Sequence, residues 1–232
     1  TGTPTFLIKL LQETNSYIPT LENLKVSAGL LDSFDIENIR IEPVLFQAGY
    51  LTIDKIIELE FGGFEYHLKL PNKEVALSFN DMLIVYLTDE HQFTQTKSSL
   101  FTALKNGDMN LFKNTLATLF ASIPYNNYVN NTISSYEGYF ASVIYAYLAS
   151  LGLNITAEDV TSKGRIDLTI KLGDNIYILE FKVDGNGTAL QQIKEKNYQQ
   201  KYLADEKDIY LIGIDFNSNE KNIARFEWER AN

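Results

Sequence analysis

The sequence predicts a mixed α/β protein, with a central mixed sheet flanked by helices in its C-terminal half and a smaller helical and β-hairpin module before it. Three observations carry this expectation. At Gly164–Lys182, Ile166, Leu168 and Ile170 alternate with Arg165, Asp167, Thr169 and Lys171, and a second β-branched and aromatic run follows Gly173-Asp174. Helical periodicity brackets these strands, at about 135–151 and again through ALQQIKEKNYQQKYL. The near-continuous apolar run from Ile209 to Phe216 has the composition of a buried central strand.

Taken in order, the N-terminal elements are short. Pro4 suits a first helical turn, and Phe6, Leu7, Leu10 and Leu11 give the following helix an apolar stripe. Leu24 to Leu31 and Asp35 to Phe46 are further short helical candidates. Tyr50 to Glu60 and Phe64 to Leu70 flank Gly62-Gly63, a hairpin signal, and Asn72 then caps a helix running to about Leu87. Helices followed by a hairpin predict a winged-helix-like arrangement. The wing itself carries Glu58, Glu60 and Glu65 against His67 and Lys69, so docking is favoured over DNA binding for this module. His67 and His91 are the only histidines, and neither lies in a metal-ligand spacing.

Phe93 to Lys105 and Asp108 to Ile123 read as a helical pair broken at Asn106-Gly107, with Asp108 as the second N-cap. Pro124 ends the pair, and YNNYVNNT is the expected linker. The helix from about Ser135 to Leu151 is apolar over most of its circumference, with Glu137 as an exception near its start. A carboxylate there interacts favourably with the helix N-terminus, which is one reading of it. Gly185-Asn186-Gly187-Thr188 precedes a helix but lacks the ending of a P-loop, so it reads as a turn rather than a nucleotide site. Ile223 to Trp228 alternates as a final strand.

Bulk composition narrows the functional classes. The absence of Cys excludes disulfides and thiolate metal sites, and no signal peptide or apolar run of transmembrane length is seen, so a soluble cytoplasmic protein with no membrane partner is expected. The formal charge is −10; the part before Ser135 has 9 basic and 15 acidic residues, net −6, and the rest has 11 and 15, net −4. Neither half has the overall basic footprint of a nucleic-acid binder. Lys163, Arg165, Lys182, Lys194 and Lys196 nevertheless cluster in sequence around the paired strands.

The chemistry concentrates at Asp167, Glu180 and Lys182. If Gly173-Asp174 is a two-residue turn, Leu172 faces Asn175 and Asp167 lies opposite Glu180, while Glu180 and Lys182 project from one face. Adjacent carboxylates suit a hard divalent cation such as Mg²⁺, which takes oxygen ligands and keeps several waters; the ammonium could steady a water or developing charge. The same spacing also describes a solvated strand face with an Asp167–Lys182 ion pair, and spacing leaves both open.

The order of Glu137 on a helix, Asp167 on a strand, Glu180-x-Lys182 on the next strand and then a Gln-bearing helix resembles the PD-(D/E)xK nuclease superfamily. TSKGRIDLTI, YILEFKVDG, ALQQIKEKNYQQKY and IYLIGIDF are similar to the nuclease domain at the C-terminal end of bacterial AAA-ATPase-like proteins of uncharacterised function. TGTPTFLIKLL, LFQAGYLTI and the stretch around LPNKEVALSF are similar to the region between ATPase and nuclease in those proteins. Ile166, not Pro, precedes Asp167, and that Pro is not a ligand.

The resemblance implies a restriction-endonuclease-like αβββαβ core, with a first strand near Leu153 to Thr156 that the residues themselves signal weakly. Together with the residue patterns above, it divides the chain into a winged-helix-like docking module at 1–92, a helical pair and linker at 93–124, and a nuclease-like domain at 125–232. With the chain starting at Thr1, it also implies a fragment of a longer protein whose N-terminal ATPase region would be a partner. The implied activity is Mg²⁺-dependent phosphodiester hydrolysis, with Mn²⁺ as substitute, on nucleic acid, DNA ahead of RNA. Asp167, Glu180 and a backbone carbonyl, that of Phe181, would hold the metal; Lys182 would orient water or stabilise charge, Gln192 would position the lysine or substrate, and Glu137 would be an accessory carboxylate. The alternatives are an inactive nuclease-fold module that binds nucleic acid or protein and couples it to an ATPase, and a purely structural adaptor.

Overall fold

The computed structural model describes residues 21, 24–32, 39–88, 93–123, 137–185 and 188–231. The expected N-terminal helix at Pro4, the end of the helical pair at Pro124, the polar linker, His91 and Asn186-Gly187 lie outside the described residues. Among the described residues no helix is long and apolar enough to cross a membrane.

The N-terminal part is built on a three-stranded antiparallel sheet. Its elements are β1 (Leu24–Ser27), α1 (Ala28–Asp32), α2 (Ile41–Gln47), β2 (Thr52–Glu58) and β3 (Phe64–Lys69), with sheet order β1-β3-β2. Leu24–Ser27 was expected to be helical, and here the structure corrects the sequence. Its residues pair with Glu65–Leu68 and bury Val26, so a cross-strand partner outweighs a weak local preference. The helix α3 (Lys73–Leu87) follows, capped by Asn72, whose side chain accepts from the Val75 N–H at 2.9 Å. Next come α4 (Phe93–Asn106) and α5 (Met109–Ser122), the latter capped by Asp108 accepting from the Leu111 N–H at 2.9 Å.

The C-terminal part runs α6 (Glu137–Ser150), β4 (Asn154–Thr161), β5 (Gly164–Leu172), β6 (Asn175–Val183), α7 (Ala189–Lys196), a 3₁₀ segment (Tyr198–Asp205), β7 (Asp208–Asn217) and β8 (Asn222–Ala231). This is the expected helix, three strands, helix, two strands. The first strand is longer than the sequence signalled, because its polar residues pair along most of β5. The sheet order is β4-β5-β6-β7-β8; β6 and β7 are parallel and the other neighbours antiparallel. A parallel pair requires a crossover, which α7 and the 3₁₀ segment supply.

The crossover is also a correction. One continuous amphipathic helix was expected over ALQQIKEKNYQQKYL, but α7 stops at Lys196. Asn197 takes a left-handed conformation (φ 50°) and its N–H caps the Ile193 and Lys194 carbonyls. Asn tolerates that conformation, so the chain turns there and resumes as a 3₁₀ segment.

Two apolar layers cover the five-stranded sheet. Tyr177, Leu179 and Phe181 of β6 join the large core shared with α3 to α6, which also includes Val26 and Leu68 of the N-terminal sheet. Ile176 and Ile178 of the same strand face the other way, into a smaller core with Ile193, Tyr198 and Tyr202. As expected, nearly every side of α6 is covered. Phe140, one turn in, stacks on Phe216 of β7 at 4.3 Å between ring centroids and fixes the start of α6 over the sheet.

Gly213 sets how closely α7 approaches. A Cβ at this position of β7 would lie 2.1 Å from the Leu190 backbone nitrogen, and backbone cannot swing away as a side-chain tip can. Asp215 holds the same helix end by accepting from the Ala189 N–H at 2.9 Å. Gly213→Ala is therefore expected to cost roughly 1–3 kcal/mol, the usual scale of core overpacking. Denaturant unfolding checks this, and an unchanged midpoint would mean that α7 does not rest on Gly213.

Candidate metal and catalytic site

The β5–β6 hairpin has the expected register. Leu172 pairs with Asn175 across Gly173-Asp174, and pairing continues to Leu168 with Leu179. Gly173 alone of the two turn residues has positive φ, 58°, as a type II′ turn uses. Beyond Leu168 and Leu179 the regular ladder gives way to side-chain chemistry. Asp167 Oδ2 accepts the Phe181 N–H at 2.8 Å. In a strand the N–H and C=O of one residue point to the same side, so the Phe181 carbonyl is directed toward Asp167 as well.

Glu180 sits across from Asp167 and is 2% exposed. Its Oε2 accepts from Gln192 Nε2 at 2.9 Å, while its Oε1 is buried with no hydrogen-bond donor. Lys182 Nζ donates to Gln192 Oε1 at 3.0 Å. Gln192 thus bridges ammonium and carboxylate, and it can do so because α7 sits tightly on Gly213, which is opposite Glu180 in the parallel register. Asp167, Glu180, Lys182 and Gln192 are all brought together. The simple Asp167–Lys182 ion pair left open by the spacing is not among the salt bridges of the described residues.

The electrostatics follow from burial of like charges. Burial, then the charge of Asp167, pushes the Glu180 carboxyl far above the ordinary range; Glu137 adds to the rise and Lys182 opposes it. Asp167 is also raised by burial, with the Phe181 N–H opposing most strongly. With both groups ionised, Glu180 Oε1 finds no donor; with one proton retained on Glu180, the pair can share it as a hydrogen bond. Glu137 begins α6, and much of the residue is exposed. Its carboxyl is nonetheless raised to about 7 by burial and then by Asp167, with Lys182 opposing, so it belongs to the same electrostatic group.

The donor set fits a hard cation. The orphaned Glu180 oxygen, the second carboxylate and the directed Phe181 carbonyl are all oxygen donors. Among the described residues no three His, Cys, Asp or Glu side chains stand close enough to form a ligand set alone. Mg²⁺ does not require one, since it commonly uses one or two carboxylates and retains water.

Residues 135–226 match the family model of the PD-(D/E)XK nuclease superfamily. The PD-(D/E)XK match begins just before Glu137 and takes in Asp167, Glu180, Lys182 and Gln192, so every side chain gathered at this site falls within it. The mixed sheet with flanking helices is the architecture of a restriction-endonuclease-like fold. The chain is also 40% identical over 230 residues to an uncharacterised protein in the vnfD 5′ region of Azotobacter chroococcum mcd 1, covering 97% of this chain and 44% of that protein. The chain thus spans less than half the length of this relative. No solved structure gives a significant match.

Sequence reasoning missed Tyr198 and Asp215. Tyr198 lies within the helix expected to continue; the turn at Asn197 instead directs its hydroxyl to donate to the Arg165 carbonyl at 3.0 Å. Burial, then Glu180, raises its pKa, which places it at the edge of the carboxylate group. The signal was present in Asn197 after a Lys-rich helical turn. Asp215, the one carboxylate within the apolar run of β7, orients α7.

Carboxyl groups with raised native pKa values bind more protons folded than unfolded, so without metal these groups favour the fold below about pH 4.5, the ordinary Glu value. That contribution is lost as pH rises through about 7 for Glu137 and higher still for Glu180. Glu180→Gln removes a buried carboxyl that the fold must keep protonated at a pH where the unfolded chain would ionise it, while keeping an acceptor for Gln192 and a donor toward Asp167. In chelator at pH 8 it is expected to raise Tm by at least a few degrees, since 1 kcal/mol moves Tm by about 2–4 °C in a chain of this size. A lower Tm than wild type would contradict the burial cost assigned to Glu180.

Proposed function

We propose that this site hydrolyses phosphodiester bonds in nucleic acid, DNA ahead of RNA, with Mg²⁺ or its substitute Mn²⁺. The observation that carries this reading is the gathering, on one sheet face, of a buried and a half-buried carboxylate, an orphaned Glu180 oxygen and an ammonium braced by Gln192. Asp167, Glu180 and the Phe181 carbonyl would hold the metal, which when bound supplies Lewis-acid stabilisation and a more acidic water. Lys182, oriented by Gln192, directs its remaining N–H groups to the attacking water or to oxygen charge that develops in the transition state. Glu137, with a pKa raised to about 7, is suited to holding or releasing a proton near neutral pH at the edge of the site.

Around this site we infer a docking module at 1–92, a helical pair and linker at 93–124 and the nuclease-like unit at 125–232. The order strand, two helices, hairpin, with β1 added beside β3, supports the winged-helix-like reading of the first. A link to an ATPase region rests on the sequence resemblance; the greater length of the Azotobacter relative leaves room for such a region in that protein. The net charge of −10 favours a second reading, a non-catalytic module that uses the same fold to bind a partner.

Millimolar Mn²⁺ is expected to raise Tm in wild type, because a ligand selective for the native state stabilises it. Asp167→Ala should lose both that shift and metal-dependent cleavage of DNA. Lys182→Ala should keep the shift and lose about a hundredfold or more in rate, the scale of one stabilising donor. Wild-type protein that binds Mn²⁺ yet cleaves neither DNA nor RNA would replace this reading with the binding module.

A further inference from the structure

A cleft lies beside the carboxylates, on the far side of Tyr198. It has a volume of about 330 Å³ and is bounded by the β4–β5 turn and by the junction between α7 and the 3₁₀ segment. This is within the range of about 300–1,000 Å³ usual for ligand clefts. Its charged side chains are Lys163, Lys196 and Lys201, and no carboxylate lines it, in a chain whose formal charge is −10. Lys201 is committed elsewhere: it pairs with the buried Asp159 and donates to the Val160 carbonyl at 3.0 Å. Lys163 and Lys196 are exposed and, among the described residues, have no ion-pair partner.

The nearby acids do not cancel these two charges. Asp159 is neutralised by Lys201 and also accepts from Tyr202 and from Thr169. Glu158 pairs with Arg165. Glu195 keeps its charge, but its carboxylate is held along α7 by Gln191 at 2.7 Å and does not line the cleft. The walls are held in place as well. Thr161 Oγ1 donates to the Gly164 carbonyl at 2.9 Å and accepts the Lys163 N–H at 3.2 Å, which fixes the turn bearing Lys163. Opposite it, the left-handed Asn197 ends α7 just after Lys196. Tyr198 forms a wall common to cleft and site, since its hydroxyl holds the Arg165 carbonyl two residues before Asp167.

We propose that this cleft binds the phosphate backbone of a single nucleic-acid strand, with Lys163 and Lys196 each contacting one phosphate, and so delivers the neighbouring phosphodiester to the carboxylates. This deepens the nuclease reading and rests on it for the identity of the ligand as a substrate strand. A polyanion is repelled by most of the surface of an acidic chain, so it is held where unpaired cations stand on a fixed frame. The contacts are to backbone and therefore independent of base sequence.

The test uses the full chain in chelator, where no cleavage occurs, and follows binding of a short fluorescein-labelled single-stranded DNA by anisotropy between about 50 and 200 mM salt. A Lys163→Gln/Lys196→Gln double variant should bind roughly tenfold more weakly. Its log–log salt slope should be shallower by about 1.4, because each single-strand phosphate contact contributes about 0.7. Lys105→Gln/Lys113→Gln, an equal charge change on α4 and α5 away from the cleft, should leave the slope unaltered. The double variant should also keep the wild-type Tm and Mn²⁺ shift, which separates lost contact from lost fold. Unchanged affinity and slope in the cleft double variant, equal losses in Lys105→Gln/Lys113→Gln, or no DNA binding by wild type would each overturn the proposal. Lysine-dependent binding by a wild-type protein that never cleaves with Mn²⁺ would uphold the cleft as a strand-binding surface and remove the catalytic reading instead.

Discussion

The register of one hairpin governs what this protein can do. Because side chains alternate sides along a strand, a slip of one residue between β5 and β6 would send Asp167 and Glu180 to opposite faces of the sheet. The two-residue turn at Gly173-Asp174 excludes that slip, with Gly173 supplying the positive φ and Leu172 meeting Asn175. Five ordinary residues on each strand between turn and site carry the register outward, with Ile170 and Leu168 buried on one side and Thr169 on the other. The chemistry at the end of the strands is thus aligned by packing well away from it.

The site is costly to maintain and its surroundings show how the cost is met. Two carboxylates taken from water resist joint ionisation, and the apolar layers on both sides of β6 prevent them from separating toward solvent. Gln192 is well chosen for the position between them and Lys182: its amide presents a donor to one charge and an acceptor to the other without adding a third charge. Its reach depends on Gly213, and Gly213 is tolerated in the interior of a strand because α7 fills the space its missing side chain leaves.

Much of this was legible in the sequence where the relevant rule is local. The turn, the alternation of Ile166 to Lys171, the Asn72 and Asp108 caps and the apolar run of β7 each declare themselves within a few residues. The elements that went astray depend on distant partners. Leu24–Ser27 has the composition of a helix start, and only pairing with β3 makes it a strand. The break at Asn197 was visible as a residue type but not as a necessity, since the preceding helical pattern runs on through Tyr202. Gln192 and Glu137 were picked out by resemblance, and the structure adds what resemblance lacks: the two hydrogen bonds of the one and the electrostatic coupling of the other to Asp167.

The large core has a mechanical consequence. Val26 and Leu68, from the three-stranded sheet, belong to the same contiguous apolar mass as Phe140, Phe181 and Phe216 beneath the carboxylates. Independent swinging of two such parts is the default only where a small, polar interface joins them, and a dry, close-packed one resists it. Force applied at the β2–β3 hairpin would therefore reach the underside of β6 through packed side chains rather than through a hinge. Such a medium transmits in small discrete steps of repacking, which makes the hairpin a lever with a short throw and little slack.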